Sequence, residues 1–204
     1  DSPTANLASH PASAYSGLVF MGGPMSVNDD LPWIPPVLNL IRDAFAQDVP
    51  LLGHCLGGQL ISKALGGVVS LNIPLPQAGG GANESLRELQ VKEIGWGEVS
   101  VSNNDIARDW FGDIQIFQAF HWHGETFTLP QGATLLLSSP YCTNQAYAIG
   151  KHLALQCHPE MTAAMIVDWC REGACEIAAS NSVAVQSAEE IQQYMTANLP
   201  QLNI

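Results

Sequence analysis

The stretch that most restricts what this chain can become is Gly53-His54-Cys55-Leu56-Gly57, set between a short apolar run and an amphipathic one. Residues 50–53 suit a buried strand, and Leu60, Ile61, Ala64 and Leu65 continue as a helix that Gly66-Gly67 stops. Between them lies a nucleophile elbow, a nucleophile flanked two residues away on each side by glycine, with cysteine in the place serine often takes. A turn this tight brings neighbouring chain too close for a Cβ and leaves the thiol exposed at the strand's carboxyl end. There it stands over a helix N-terminus, whose free N–H groups and dipole favour the thiolate. The Leu56 amide would face the reacting carbonyl. The same residues also fit an inert, buried cysteine in a glycine-rich turn that binds phosphate on its amides.

A nucleophile of this kind needs a base from elsewhere. Gln156-Cys157-His158-Pro159-Glu160 supplies one: it ends another apolar run, His152-Leu153-Ala154-Leu155, and places a histidine and a carboxylate two residues apart. In a doubly wound sheet, sites gather at the carboxyl ends of strands, so Cys55 and His158 can meet there despite their distance in sequence.

Gly53-His54-Cys55-Leu56-Gly57-Gly58-Gln59 together with His158-Pro159-Glu160 resembles the class I (triad) glutamine amidotransferase family, most closely its stand-alone members similar to the amidotransferase domain of GMP synthase. Gly22-Gly23-Pro24-Met25-Ser26 and Phe120-His121-Trp122-His123-Gly124-Glu125 add to the resemblance, which covers residues 17–169. It implies a three-layer α/β fold, a doubly wound, mostly parallel sheet of flavodoxin-like type with a small antiparallel extension. It also implies a Cys55-His158-Glu160 triad and an oxyanion hole formed by the amides of Gly23 and Leu56. Two such donors contribute about 3–4 kcal/mol each to the transition state. Backbone around Trp122, His123 and Gly124, with Gln59 from the helix side, would hold the α-amino acid end of glutamine. Read without the resemblance, Gly22-Gly23-Pro24 is a glycine-proline turn.

Composition narrows the remaining classes. A chain of 204 residues with 47% hydrophobic and 13% charged residues can bury one sizeable core, so a single domain spanning residues 1–204 is expected. No apolar run approaches the length a spanning helix needs, which argues against a membrane protein. Seven basic against nineteen acidic residues give a net charge of −12, which repels phosphate backbones and makes nucleic acid a poor partner. Cys55, Cys142, Cys157, Cys170 and Cys175 are odd in number and lack C-x-x-C spacing, so neither a disulfide framework nor a zinc site is indicated, and a reducing, cytoplasmic setting fits best. The last four read as small apolar fillers.

In chain order, residues 1–16 read as a mobile lead-in rich in Ser, Ala and Pro. A first buried strand of the kind the family has is missing, which suggests a start partway into a longer parent. Residues 17–21 form a strand, and a helix with Val37, Leu38, Ile41, Ala44 and Phe45 on one face follows an acidic, proline-containing stretch over residues 28–36. Residues 68–71 are a strand, residues 74–82 a mobile surface loop, and residues 90–101 a bent antiparallel strand or a hairpin. A short helix over residues 105–111 precedes a run at 114–117 that leads to His121 and His123. Residues 133–138 and 145–149 are strands, the latter turning at Gly150-Lys151 into the strand that ends at His158. Residues 161–170 are amphipathic, and a last helix over residues 188–199 turns Ile191, Tyr194 and Met195 inward.

His121 and His123 point the same way on a strand and could hold a metal, but no nearby cysteine or carboxylate has the spacing of a metal-binding triad. A packed histidine pair beside Trp122 is the better reading, and neither metal nor cofactor is expected. Glu125 is either a recognition carboxylate for the substrate ammonium or an ordinary exposed acid. The expected reaction is attack of the Cys55 thiolate on the side-chain amide carbon of glutamine, protonation of the departing ammonia by His158 and hydrolysis of a γ-glutamyl thioester, with Glu160 orienting His158. The chain carries no glycine-rich nucleotide loop of a synthetase, so any ammonia-accepting synthetase is a separate partner. Alternatives are a γ-glutamyl hydrolase or peptidase with the same triad, and a non-catalytic partner subunit.

Overall fold

Residues 11–73 and 90–202 are described by a computed structural model; the loop expected over residues 74–82 lies outside them. Among the described residues, eight strands form one sheet in the order β1-β2-β9-β8-β7-β4-β10, with β5 paired to β4. The strands are β1 (Leu18–Phe20), β2 (Leu51–His54), β3 (Val69–Leu71), β4 (Glu93–Val101), β5 (Ile116–His123), β6 (Glu125–Phe127), β7 (Thr134–Ser138), β8 (Ala146–Ile149), β9 (His152–Leu155) and β10 (Ala184–Val185). The helices are α1 (Ile34–Ala46), α2 (Leu56–Ala64), α3 (Asp105–Phe111), α4 (Ala163–Glu172), α5 (Ala174–Ala179) and α6 (Ala188–Asn198). This is an α/β fold whose parallel part, β1-β2-β9, carries the site. Strands β9, β8, β7, β4 and β5 pair antiparallel in succession, a broader extension than the small one expected. Strands β3 and β6 make a separate antiparallel pair.

Alternation along the strands divides the interior. On β2, β8 and β9, Leu51, Tyr147 and Ala154 face α1 and α2, whereas Leu52, Ala146, Ala148, Leu153 and Leu155 face α3 and the apolar side of β5 and β7. A third cluster joins Ile94, Trp96 and Phe120 of β4 and β5 to Ile166, Cys170 and Ile191 of α4 and α6. Burying each of the largest of these side chains contributes about 1.5–3 kcal/mol.

Local chemistry sets the helix ends. Helix α1 begins at Ile34, three residues before the expected apolar stripe, because Pro35 and Pro36 occupy a first turn whose N–H groups need no partner within the helix. Asn104 and Thr162 cap α3 and α4 with side-chain oxygens, and Ser187 and Glu190 form a capping box on α6.

Of the two alternatives for residues 90–101, the structure has the antiparallel strand, Glu93–Val101, with Glu93–Ser100 in register with β5. Three expectations change. The last part of the presumed lead-in makes a single turn, Ala12–Ala14, whose first residue is buried against α1. Tyr194 is 45% exposed: the buried line of α6 runs through Ile191, and the tyrosine sits on its rim, where the phenol stays in water. Cys175 is exposed on the first turn of α5 and fills no core. Helix α5 and strand β10 had no periodic signal, being short, with three of the six residues of α5 alanine and β10 only Ala184-Val185.

Candidate active site

Strand β2 runs parallel to β9 with His54 opposite Leu155, so both chains leave the sheet at the same edge. Cys55 follows His54 in a strained left-handed conformation, φ 50 and ψ −111, and caps α2. Its N–H donates to Leu155 O at 2.8 Å, tying the elbow to β9. A Cβ at Gly57 would run into the carbonyl oxygen of Phe20, and one at Gly53 would meet the Gly57 backbone at 2.5 Å, which is why both positions are glycine.

Beyond β9, His158 is anchored by its N–H on Phe120 O at 2.8 Å and packs edge-on against Trp169 with ring centroids 5.0 Å apart. Its Nδ1 lies 2.8 Å from Glu160 Oε1. Its Nε2 is buried and makes no aligned hydrogen bond in this resting geometry, which leaves it for the Cys55 thiol. Burial alone would depress the imidazole, but Cys55 and then Glu160 raise its pKa to about 9. Burial would likewise raise the Glu160 carboxyl; hydrogen bonds from His158 and His54 hold it far below the usual carboxylate range. His54 Nδ1 stands 3.1 Å from the second oxygen, Glu160 Oε2.

A cavity of 710 Å³ opens over this edge. Cys55, His158, Gly23, Leu56, Gln59, Trp122, His123 and Gly124 all border it; Glu160 lies behind His158. Gly23 abuts Leu56, since a Cβ on it would lie 3.1 Å from Leu56 Cδ2, so the two expected oxyanion donors are neighbours. Cys55 Sγ is 3.8 Å from Trp122 O. The Gln59 amide is committed within the protein, its Nε2 donating to Gln156 Oε1 at 3.1 Å and to Glu125 O at 3.4 Å, so it holds the loop that borders the cavity. Ser26 Oγ donates to Glu125 Oε1 at 3.0 Å.

The thiol, imidazole and carboxylate are thus assembled at one sheet edge, and residues 1–165 match the family model described as glutamine amidotransferase class-I. The chain belongs to that family. It is similar to γ-glutamyl peptidase 3 of Arabidopsis thaliana, 28% identical over 72% of this chain and 55% of the peptidase. It is also similar to the glutamine-hydrolyzing GMP synthase of Aromatoleum aromaticum, 30% identical over 73% of this chain and 26% of the synthase. The chain therefore spans about half or less of the length of these curated relatives. A solved glutamine amido transferase from Methylobacillus flagellatus superposes with a TM-score of 0.84 at 41% identity, covering 95% of this chain and 74% of that one. Among the described residues, no helix is long and apolar enough to cross a membrane.

Sequence reasoning missed the partners behind the cavity wall. Antiparallel pairing sets Glu93 opposite His123 and on the same face as His121. Their ligand-type atoms all lie within 4.8 Å, so these three residues could hold a metal ion. In this structure they are engaged with the protein instead. His123 has Nε2 3.1 Å from Glu93 Oε2 and Nδ1 3.0 Å from Glu125 O. Ser139 Oγ and Gln145 Nε2 each donate to Glu93 at 2.8 Å. Burial would raise the Glu93 carboxyl, but His123, His121 and Ser139 lower its pKa to about 2; burial lowers that of His121 to about 4 against the pull of Glu93. Glu176 of α5 bridges Lys92 Nζ and Trp122 Nε1 at 2.6 and 2.9 Å, closing one wall.

Proposed function

We propose that this amidotransferase hydrolyses the side-chain amide of glutamine through Cys55, His158 and Glu160. The observation that carries the reading is His158, held between Glu160 Oε1 at 2.8 Å and the Cys55 thiol, with its pKa raised to about 9 by both. At neutral pH His158 is an imidazolium, and a cation beside a thiol favours the nucleophilic thiolate form. The Cys55 sulfur bonds to the amide carbon, and the amide oxygen takes the negative charge beside Gly23 and Leu56. Collapse breaks the carbon–nitrogen bond as the His158 imidazolium gives its proton to the departing ammonia. Neutral His158 then takes a proton from water, which attacks the γ-glutamyl thioester; glutamate leaves and the thiolate returns. Residues 122–124 hold the α-amino acid end, and Gln59 acts on it through the loop it tethers. No cofactor enters these steps.

The ammonia passes to an acceptor synthetase, a reading supported by the similarity to a GMP synthase of which this chain matches 26%. The free cysteines suit a reducing cytoplasm. One observation favours a second reading, γ-glutamyl peptide hydrolysis by the same triad: a 710 Å³ cavity is in the range of about 300–1,000 Å³ that encloses ligands larger than a single amino acid. Steady-state release of glutamate from glutamine and from a γ-glutamyl dipeptide separates the two. A thiol-alkylating glutamine analogue is expected to label Cys55, and turnover that survives Cys55→Ala would overturn both readings.

A further inference from the structure

His54, the residue before the nucleophile, has a relationship the triad does not use. It ends β2, is buried, and does not border the cavity. Because side chains alternate on a strand, it points away from the substrate side, toward the segment that follows β9. There its Nδ1 is 3.1 Å from Glu160 Oε2, while Oε1 of the same carboxylate is 2.8 Å from His158 Nδ1. Glu160 stands between two imidazoles with one oxygen for each. His54 Nδ1 and Glu160 Oε2 are both buried and stand 3.1 Å apart, just short of an aligned hydrogen bond in this resting geometry, and neither has another partner among the described residues, so each is the other's complement. A carboxylate held by one oxygen can still turn about its terminal bond. Held by both, it cannot.

Resting on the triad reading above, we infer that His54 is a positioning residue for the reaction: its Nδ1–H donates to Glu160 Oε2 and fixes the rotation of the carboxylate, keeping Oε1 in line with His158. The second imidazole also stabilises the ionised carboxylate, consistent with its depressed pKa. The residue acts on the Cys55-His158 pair without touching substrate, as outer groups commonly orient the ligands or bases in front of them.

The test compares His54→Leu, which removes the donor at similar bulk, with His54→Asn, whose amide nitrogen replaces Nδ1. One readout is the titration midpoint of His158 by NMR in substrate-free protein; the others are kcat and KM for glutamine. His54→Leu is expected to lower the midpoint and cut kcat by about tenfold or more, with KM within about twofold, and His54→Asn to restore both. If His54→Leu does not fold, His54→Ala carries the same expectation. A wild-type midpoint and kcat in the donor-less protein overturns the inference; so does a folded His54→Asn protein no better than His54→Leu, since filling space needs no donor. Failure of the functional reading looks different: the wild type turns over neither glutamine nor a γ-glutamyl dipeptide, while the His158 midpoint, which needs no substrate, still reports on His54.

Discussion

The backbone of Gly22 passes so close to His158 that a Cβ there would stand 3.2 Å from the imidazole Cε1 and 3.5 Å from Cys55 Cβ. The two side chains flank one point, and only a hydrogen atom occupies it.

Gly22→Ala therefore inserts a methyl group between nucleophile and base. Surface loop substitutions cost little stability, so melting is expected to change by only a few degrees. The reaction suffers more, because a displacement of about 1 Å at a reacting centre costs on the order of a hundredfold in rate. Steady-state kinetics beside a melting curve checks this, and an undiminished kcat would show that the pair does not meet at this point.

Cys55→Ala removes the largest influence that raises His158. With Glu160 alone opposing burial, the His158 midpoint is expected to fall from about 9, as followed by NMR titration. A raised folded-state value means that protonated His158 stabilises the wild type fully below about 6.5, and that this contribution is lost as pH rises through about 9. The stability difference between wild type and Cys55→Ala should narrow across that window in chemical denaturation.

Glu160→Gln keeps the shape of the side chain but loses the charge that orients and stabilises the imidazolium. By analogy with other triads, kcat is expected to fall by about 10²–10⁴ with KM little changed. Rates near wild type would remove Glu160 from the relay.

Glu93→Gln leaves His123 buried opposite a neutral amide in the wall beside the cavity. Breaking a buried pair from one side costs about 3–5 kcal/mol, so urea denaturation at neutral pH should show a loss of that size. The carboxyl is held at about 2 against an ordinary 4.5, so its contribution is present above about 4.5 and lost as pH falls through about 2. Wild type and Glu93→Gln should converge in stability over that acid range.

The elbow at Cys55 and the His158-Glu160 pair that the structure brings beside it were legible as candidates because each lies inside a short segment whose chemistry is local: a glycine-flanked turn, and a histidine and acid just past an apolar run. The amphipathic stripe of α1 and the turn between β8 and β9 were legible for the same reason, since helical spacing and a glycine-containing turn leave marks within a few residues. Tyr194 shows where that logic stops, because spacing marks a face but not how deep a neighbour covers it.

By itself the sequence determined which residue types could perform chemistry and which local conformations they would take, because backbone sterics and dihedral preferences act between near neighbours. Tertiary structure alone decided that Glu93 would meet His123, that His54 would share Glu160 with His158, and that Gln59 would tether the loop at Glu125. The first depends on the β4–β5 register, the second on the parallel alignment of β2 and β9, and the third on the packing of α2 against β6. Register is set by burying whole faces of the sheet at once, so no short window of sequence contains it.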